Sequence, residues 1–179
     1  MRTHSITVVE RHIDRIYAAR SSLHCLRQSI ESEARNAGID SRLLCGVLAI
    51  ESAHRPSWVR FCEQLACTVW PSFIVRRDMS IGLGQIRPST AKALLKDNGT
   101  DIALVKKLMN PKFNVFVCAQ LLATQAKLVD YQRGSVAAAI RLAKVYTTGK
   151  QTGPNYPWIV LYGICLHRMV TALTRKTRR

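Results

Sequence analysis

The sequence predicts an all-α fold built as one compact domain, and three observations carry that expectation. Apolar residues recur three, four or seven apart through most of the chain. Glycine, proline and small polar residues punctuate those runs where helices would begin and end. No internal repeat, heptad pattern or linker divides the 179 residues, a length sufficient to bury one proper core.

From about Ser5 to Ala37 the residues Val9, Ile13, Ile16, Leu23, Leu26, Ile30 and Ala34 hold the helical spacing, with Gly38 as the stop. Asp40 or Ser41 caps a second helix running to about Ala53, where Pro56 ends it or opens another. The stretch PSWVRFCEQLACTVW reads as a third helix closed by Pro71. Residues 73–86 are the least helical part, with two glycines, β-branched residues and a charged turn, and predict a short loop or hairpin. Pro88 opens a helix to about Asp97, a short one follows from Asp101, and a long one runs from about Pro111 to Gln132. Ser135 starts the apolar helix SVAAAIRLAKVY. After the loop-like TTGKQTGPNYP, a terminal helix begins near Trp158 and enters the basic tail TRKTRR.

Hydrophobic content of 47% is that of a globular protein, but the net charge of +16 is not ordinary. It predicts an anionic partner: nucleic acid, a lipid headgroup surface or a cell-wall polyanion. The N-terminal stretch MRTHSITVVERHIDRIYAAR lacks the apolar run of a secretory signal, and WIVLYGICL is too short to span a bilayer. The six cysteines are spread without CxxC spacing and read as buried free thiols; disulfide pairing after export stays open. His24, His54 and His167 have no partner at ligand spacing, so neither a metal nor another cofactor is expected. Phosphate-loop, dinucleotide and G-x-S-x-G signatures are absent. The three tryptophans read as core or groove wall.

Only eleven residues are acidic, and most sit where a solvated face or a cap explains them. Glu51, Glu63 and Asp78 differ, lying beside apolar, aromatic or glycine-rich sequence. Glu51 ends the uncharged run LLCGVLAI and has the driest surroundings of the three. A carboxyl in such a place is either a structural helix end or an acid kept protonated near neutrality by burial.

The motifs around Glu51 add to this. SIGLGQI at residues 80–86, followed by RPSTA, resembles the glycine-leucine-methionine-glutamine signature of soluble lytic transglycosylases and goose-type lysozymes. Glu51-Ser52 is similar to their catalytic Glu-Ser pair, NVFVCAQLL from Asn114 to their Asn-Ile helix, and AKVYTTG with Tyr146 and Gly149 to their third motif. The four pieces occur in the family's order over residues 41–150. The resemblance implies a lysozyme-like domain with a helical extension over 1–40, this motif-bearing core over 41–150, and a C-terminal helix and tail over 151–179.

It implies that Glu51 protonates the glycosidic oxygen between N-acetylmuramic acid and N-acetylglucosamine. Glu51 would then take the muramoyl C6 hydroxyl proton and leave a 1,6-anhydro end. Tyr146 would hydrogen-bond Glu51, Gln85 would line the sugar groove, and Ser52 and Ser80 would orient the Glu or contact substrate. Gly82 and Gly84 would let backbone approach a sugar. The partner implied is the peptidoglycan glycan strand, with an inhibitor or immunity protein if the enzyme is a delivered toxin.

Several positions depart from the family. Gly84 stands for its Met, Cys118 for a small Gly, and Thr147-Thr148 for Asn-Ala. The longer stretch over 54–79 is more like goose-type lysozymes, which hydrolyse, and either Asp78 or Glu63 could then position a water as a second carboxylate. Arg55 reads equally as a surface ion pair or as a contact to a peptide-stem carboxylate. The rival from another class is a basic helical nucleic-acid-binding protein, with STAKALLKDNGTD read as part of a helix-turn-helix. Its basic residues, though, do not gather on one recognition helix, and no nucleic acid is expected as partner. Without a visible leader, a wall-cleaving enzyme is expected to act in the periplasm after delivery, as a secreted toxin or a phage lysis protein.

Overall fold

A computed structural model describes residues 2–176, with side chains over residues 10–171. The last three residues of the basic tail lie outside the described residues. In order the helices are α1 (Arg2–Ser22), α2 (Arg27–Ala37), α3 (Ser41–Ala53), α4 (Ser57–Val69) and α5 (Pro71–Arg77). There follow α6 (Pro88–Leu95), α7 (Asp101–Met109), α8 (Pro111–Leu128), α9 (Val136–Thr148) and α10 (Pro157–Lys176). Among the described residues the β structure is one antiparallel bridge between Ile81 and Ile86, so the fold is all-α as expected.

Local chemistry sets most boundaries. Asp40 caps α3 by accepting from the Arg42 N–H at 2.9 Å, and Gly38 ends α2 in the left-handed region. Asn110 caps α8 through the N–H groups of Lys112 and Phe113, ahead of Pro111. Ser135 caps α9, which Gly149 closes.

Two expectations need correction. The run from Ser5 to Ala37 is not one helix: it breaks at Ser22, and His24–Leu26 form a 3₁₀ turn. The Ser21 and Ser22 hydroxyls bond back to Tyr17 O and Ala19 O, competing with the backbone ladder. The break sends α1 against α3 and α2 against α8, while Leu23 stays buried at the corner. Further on, the loop or hairpin expected over 73–86 starts late. Residues 71–77 are helical despite their β-branched content, because Pro71 suits a first helical position and Ile74 is buried. Asp78 ends α5 at φ 46°, and the hairpin occupies only 81–86.

The core centres on α3, whose Leu43, Leu44, Val47, Leu48, Ala49 and Ile50 are buried and which packs against α1, α2, α8 and α10. On the far side α10 lies against both α3 and α9. Gly163 makes the second approach possible: a Cβ there would sit 2.5 Å from the Ile140 Cα. Gly163→Ala is therefore expected to cost about 1–3 kcal/mol in urea denaturation, since helix backbone cannot retreat as a flexible side chain can. An unchanged denaturation midpoint would show that α10 can shift freely on α9.

Candidate active site

The buried run of α3 carries Glu51 to the helix's last turn, where its carboxyl borders a cleft. One half is walled by Ser52, Glu63, Gly82, Leu83, Leu108 and Asn114. The other is walled by Ser80, Arg87, Gln125, Tyr146, Thr148 and Trp158. Glu51, Arg55 and Gln85 line both halves, which places the carboxyl at their junction. A separate cavity among α1, α2 and α3 lies apart from Glu51, and its Arg27 and Arg42 are paired with Glu31 and Asp40.

Burial pushes the Glu51 carboxyl up to about 7, against the opposing pulls of a hydrogen bond from Tyr162 and the positive charge of Arg55. The Tyr162 hydroxyl donates to Oε1 at 2.9 Å. An acid with this pKa holds its proton in about half the molecules at neutral pH, the range in which proton transfer to a leaving oxygen is useful.

The other two carboxylates are engaged. Glu63 pairs through Oε2 with the Arg55 guanidinium and accepts the Gly82 N–H at Oε1, 2.6 Å away. Arg55 in turn reaches Ser80 O at 3.4 Å, so this pair ties the end of α3 to α4 and the hairpin. Asp78 accepts both the N–H and the hydroxyl of Ser89, at 2.9 and 2.6 Å, and does not border the cleft.

The hairpin holds Ser80 and Gln85. Ile81 and Ile86 exchange two backbone hydrogen bonds and bury both side chains. Between them Gln85 adopts φ 52°, uncommon for a residue with a Cβ. Its amide offsets that cost by donating to Gly82 O at 2.6 Å and accepting from the Ser80 hydroxyl at 3.2 Å. Ser52 is buried, 7% exposed, and its hydroxyl has no hydrogen-bond partner among the described residues.

Tyr146 lies in the cleft wall but does not bond Glu51. Its hydroxyl donates to Gly84 O at 2.5 Å and lies 3.3 Å from Cys118 Sγ. The bond expected of Tyr146 is made by Tyr162 from α10, a residue that sequence reasoning missed because it lies 111 positions from Glu51 and outside every motif. The glycines likewise have another reason. A Cβ on Gly82 would fall 2.0 Å from Asn114 Nδ2, and one on Gly84 would fall 3.0 Å from the Cys118 side chain. The close approach that glycine permits within the fold is to α8.

Gln125 was also missed. It is 8% exposed, lines the cleft, and its Oε1 has no partner among the described residues. A polar residue inside the apolar repeat of α8 was the available signal. Trp58 and Trp70 are neither core nor cleft wall, each being 68% exposed; Trp158 is a cleft-wall residue, stacked on Tyr156. Of the cysteines, Cys67, Cys118 and Cys165 are buried free thiols, whereas Cys25 and Cys62 are exposed. No group of His, Cys, Asp and Glu among the described residues could hold a metal.

No curated protein matches the chain, and no solved structure does. Residues 28–150 match the family described as the transglycosylase SLT domain, a stretch that includes Glu51, the hairpin, Asn114 and Tyr146 but stops short of Tyr162. With well over half of its length matched, this all-helical chain belongs to the SLT transglycosylase family, whose members are lytic transglycosylases acting on peptidoglycan.

Proposed function

We propose that the chain cleaves the β-1,4 bond between N-acetylmuramic acid and N-acetylglucosamine with Glu51 as its one acid and base. The observation that carries this reading is the state of the carboxylates: Glu51 has its pKa raised to about 7, while Glu63 and Asp78 have their oxygens bound by other groups. Glu51 gives its proton to the glycosidic oxygen as the bond to muramoyl C1 breaks. The C6 hydroxyl of the same sugar then bonds to C1, and its proton returns to Glu51. No water is consumed, and the enzyme ends as it began.

Ser52 and Gln125 are proposed to hydrogen-bond sugar substituents with their unpartnered oxygens, one in each half of the cleft. Ser80 and Gln85 present the hairpin edge to the glycan, and Tyr146 fixes that hairpin against α9 through Gly84 O. Tyr162 takes the positioning of Glu51. The net charge of +16 suits an anionic wall polymer, and the enzyme acts there as a delivered toxin or a lysis protein. Expression behind an added export signal should lyse cells, and expression of Glu51→Gln in the same way should not.

Mass spectrometry of fragments released from purified peptidoglycan tests the chemistry. Anhydro-muramoyl ends are expected from the wild type; reducing muramic ends would instead assign a hydrolase and return attention to Glu63. Tyr162→Phe tests the positioning. Its hydroxyl favours the ionised form of Glu51, so its loss raises the Glu51 pKa further and moves the alkaline limb of the pH–rate profile upward. A fall of roughly tenfold in kcat should accompany that move, as the carboxyl loses its fixed orientation. An unmoved alkaline limb would mean that Tyr162 does not govern Glu51.

A further inference from the structure

Helix α4 has two faces of opposite chemistry. Its inner face holds buried Cys67 and Glu63, the latter bound to Arg55 and Gly82 beside the cleft. Its outer face is the stripe Trp58, Phe61, Leu65 and Val69, spaced by three and four residues and so confined to one side of the helix. Trp58 and Phe61 are 68% and 65% exposed, and Leu65 and Val69 more than half. Trp70 and Phe73 continue the stripe around the corner into α5. Single exposed apolar residues are ordinary, but a contiguous run of large ones marks a docking surface.

The charges that α4 and α5 themselves leave without an acidic partner are all of one sign. Arg76 borders the same notch as Trp70 and Phe73, and the Arg77 guanidinium lies 5.9 Å from the centroid of the Phe73 ring. The only carboxylates between Ser57 and Met79 are Glu63 and Asp78, bound to Arg55 and to Ser89 respectively. A second copy docking on itself through this face would bring arginines together with no acid to meet them. Aromatic rings flanked by arginines, without free carboxylates, match the boundary between headgroups and acyl chains in an anionic bilayer.

We propose that the outer face of α4 and the start of α5 dock on an anionic lipid surface. The rings of Trp58, Phe61, Trp70 and Phe73 enter the interfacial layer, and Arg76 and Arg77 meet lipid phosphates. The contact is peripheral, since no helix among the described residues is long and apolar enough to cross a membrane. The inner face of α4 borders the Glu51 cleft, so docking holds the cleft about one helix diameter, roughly 10 Å, from the lipid. Cleavage is thereby directed to glycan lying next to the membrane.

The full chain is to be sedimented with vesicles of phosphatidylcholine alone and with vesicles containing about one third phosphatidylglycerol. Wild type is expected to bind the anionic vesicles, with a blue shift of tryptophan emission. Joint replacement of Trp58, Phe61, Trp70 and Phe73 by Ser should weaken that binding by roughly tenfold or more, leaving glycan release from lipid-free peptidoglycan unchanged. Trp58→Ser alone serves the same purpose if the fourfold change disturbs the helical circular dichroism. Failure of wild type to bind would overturn the proposal. So would equal binding by the stripe variants, which would assign the attraction to net charge alone. A wild-type dimer that the variants split would give the face to a second copy instead. Because vesicle binding needs no catalysis, this result stands apart from the fate of the glycosidase reading.

Discussion

Glu51→Gln is expected to remove glycan cleavage by about a thousandfold or more, and to leave a protein more stable than the wild type above neutral pH. The first effect follows from losing the proton that the leaving oxygen needs. The second follows from what keeps that proton in place. The carboxyl has a folded pKa of about 7 against an ordinary value of 4.5, with burial the largest cause. Below pH 4.5 the carboxyl is protonated in both folded and unfolded chains, and the two proteins should be alike. Between 4.5 and 7 the unfolded chain ionises while the folded one resists, so wild type loses stability as pH rises. Above 7 the loss is complete, and the difference of 2.5 units corresponds to about 3 kcal/mol.

Glutamine cannot ionise, keeps an oxygen to accept from Tyr162, and fills nearly the same volume, so the variant should escape the loss. Urea denaturation of both proteins at pH 5 and pH 8 measures this directly. A gap of about 3 kcal/mol at pH 8 that narrows to under about 1 kcal/mol at pH 5 is the expected pattern. A variant that is less stable at both would mean that Glu51 is ordinary helix-end structure, with its ionised form well accommodated. Loss of activity alone would not separate these readings, since a misfolded protein is also inactive.

What the sequence made legible divides by the range of the forces involved. The stop of α2 and the starts of α3 and α8 could be read because Gly38, Asp40 and Pro111 act on backbone within a few residues. The dry setting of Glu51 could be read because one helix supplies it in consecutive turns. Its hydroxyl partner could not, because α10 meets α3 only in the packed fold. Arg55 and Glu63 were each singled out, but their pairing depends on how the chain turns between α3 and α4. The two departures Gly84 and Cys118 looked unrelated in sequence and prove to face each other. The glycine leaves room for the larger side chain on α8, and Tyr146 completes the contact by bonding Gly84 O beside the thiol.

Asn114→Ala is expected to be the most damaging substitution after Glu51→Gln. Asn114 is fully buried on α8 and joins three backbone groups, of which Ile81 O also accepts the Ile86 N–H. Its Oδ1 accepts the Gly84 N–H at 2.7 Å, and its Nδ2 donates to Ile81 O at 3.2 Å and Leu108 O at 3.0 Å. Alanine would strand the Gly84 N–H and take a donor from Leu108 O and Ile81 O, and a total of about 2–5 kcal/mol is expected in urea denaturation, at about 1–3 kcal/mol for each group left unpaired. Activity should fall well below the unfolding range too, because the strained φ of Gln85 persists only while the hairpin is pinned to α8. Asn114→Asp sharpens the test. The carboxylate keeps the acceptor for Gly84 but loses both donors and buries a charge, so the aspartate's pKa must rise. Its folded pKa then exceeds its unfolded one, and the variant should regain stability as pH falls and the protonated acid donates to Ile81 O or Leu108 O. Should both variants stay within about 1 kcal/mol of wild type, the hairpin would owe its place to the burial of Ile81 and Ile86 rather than to Asn114.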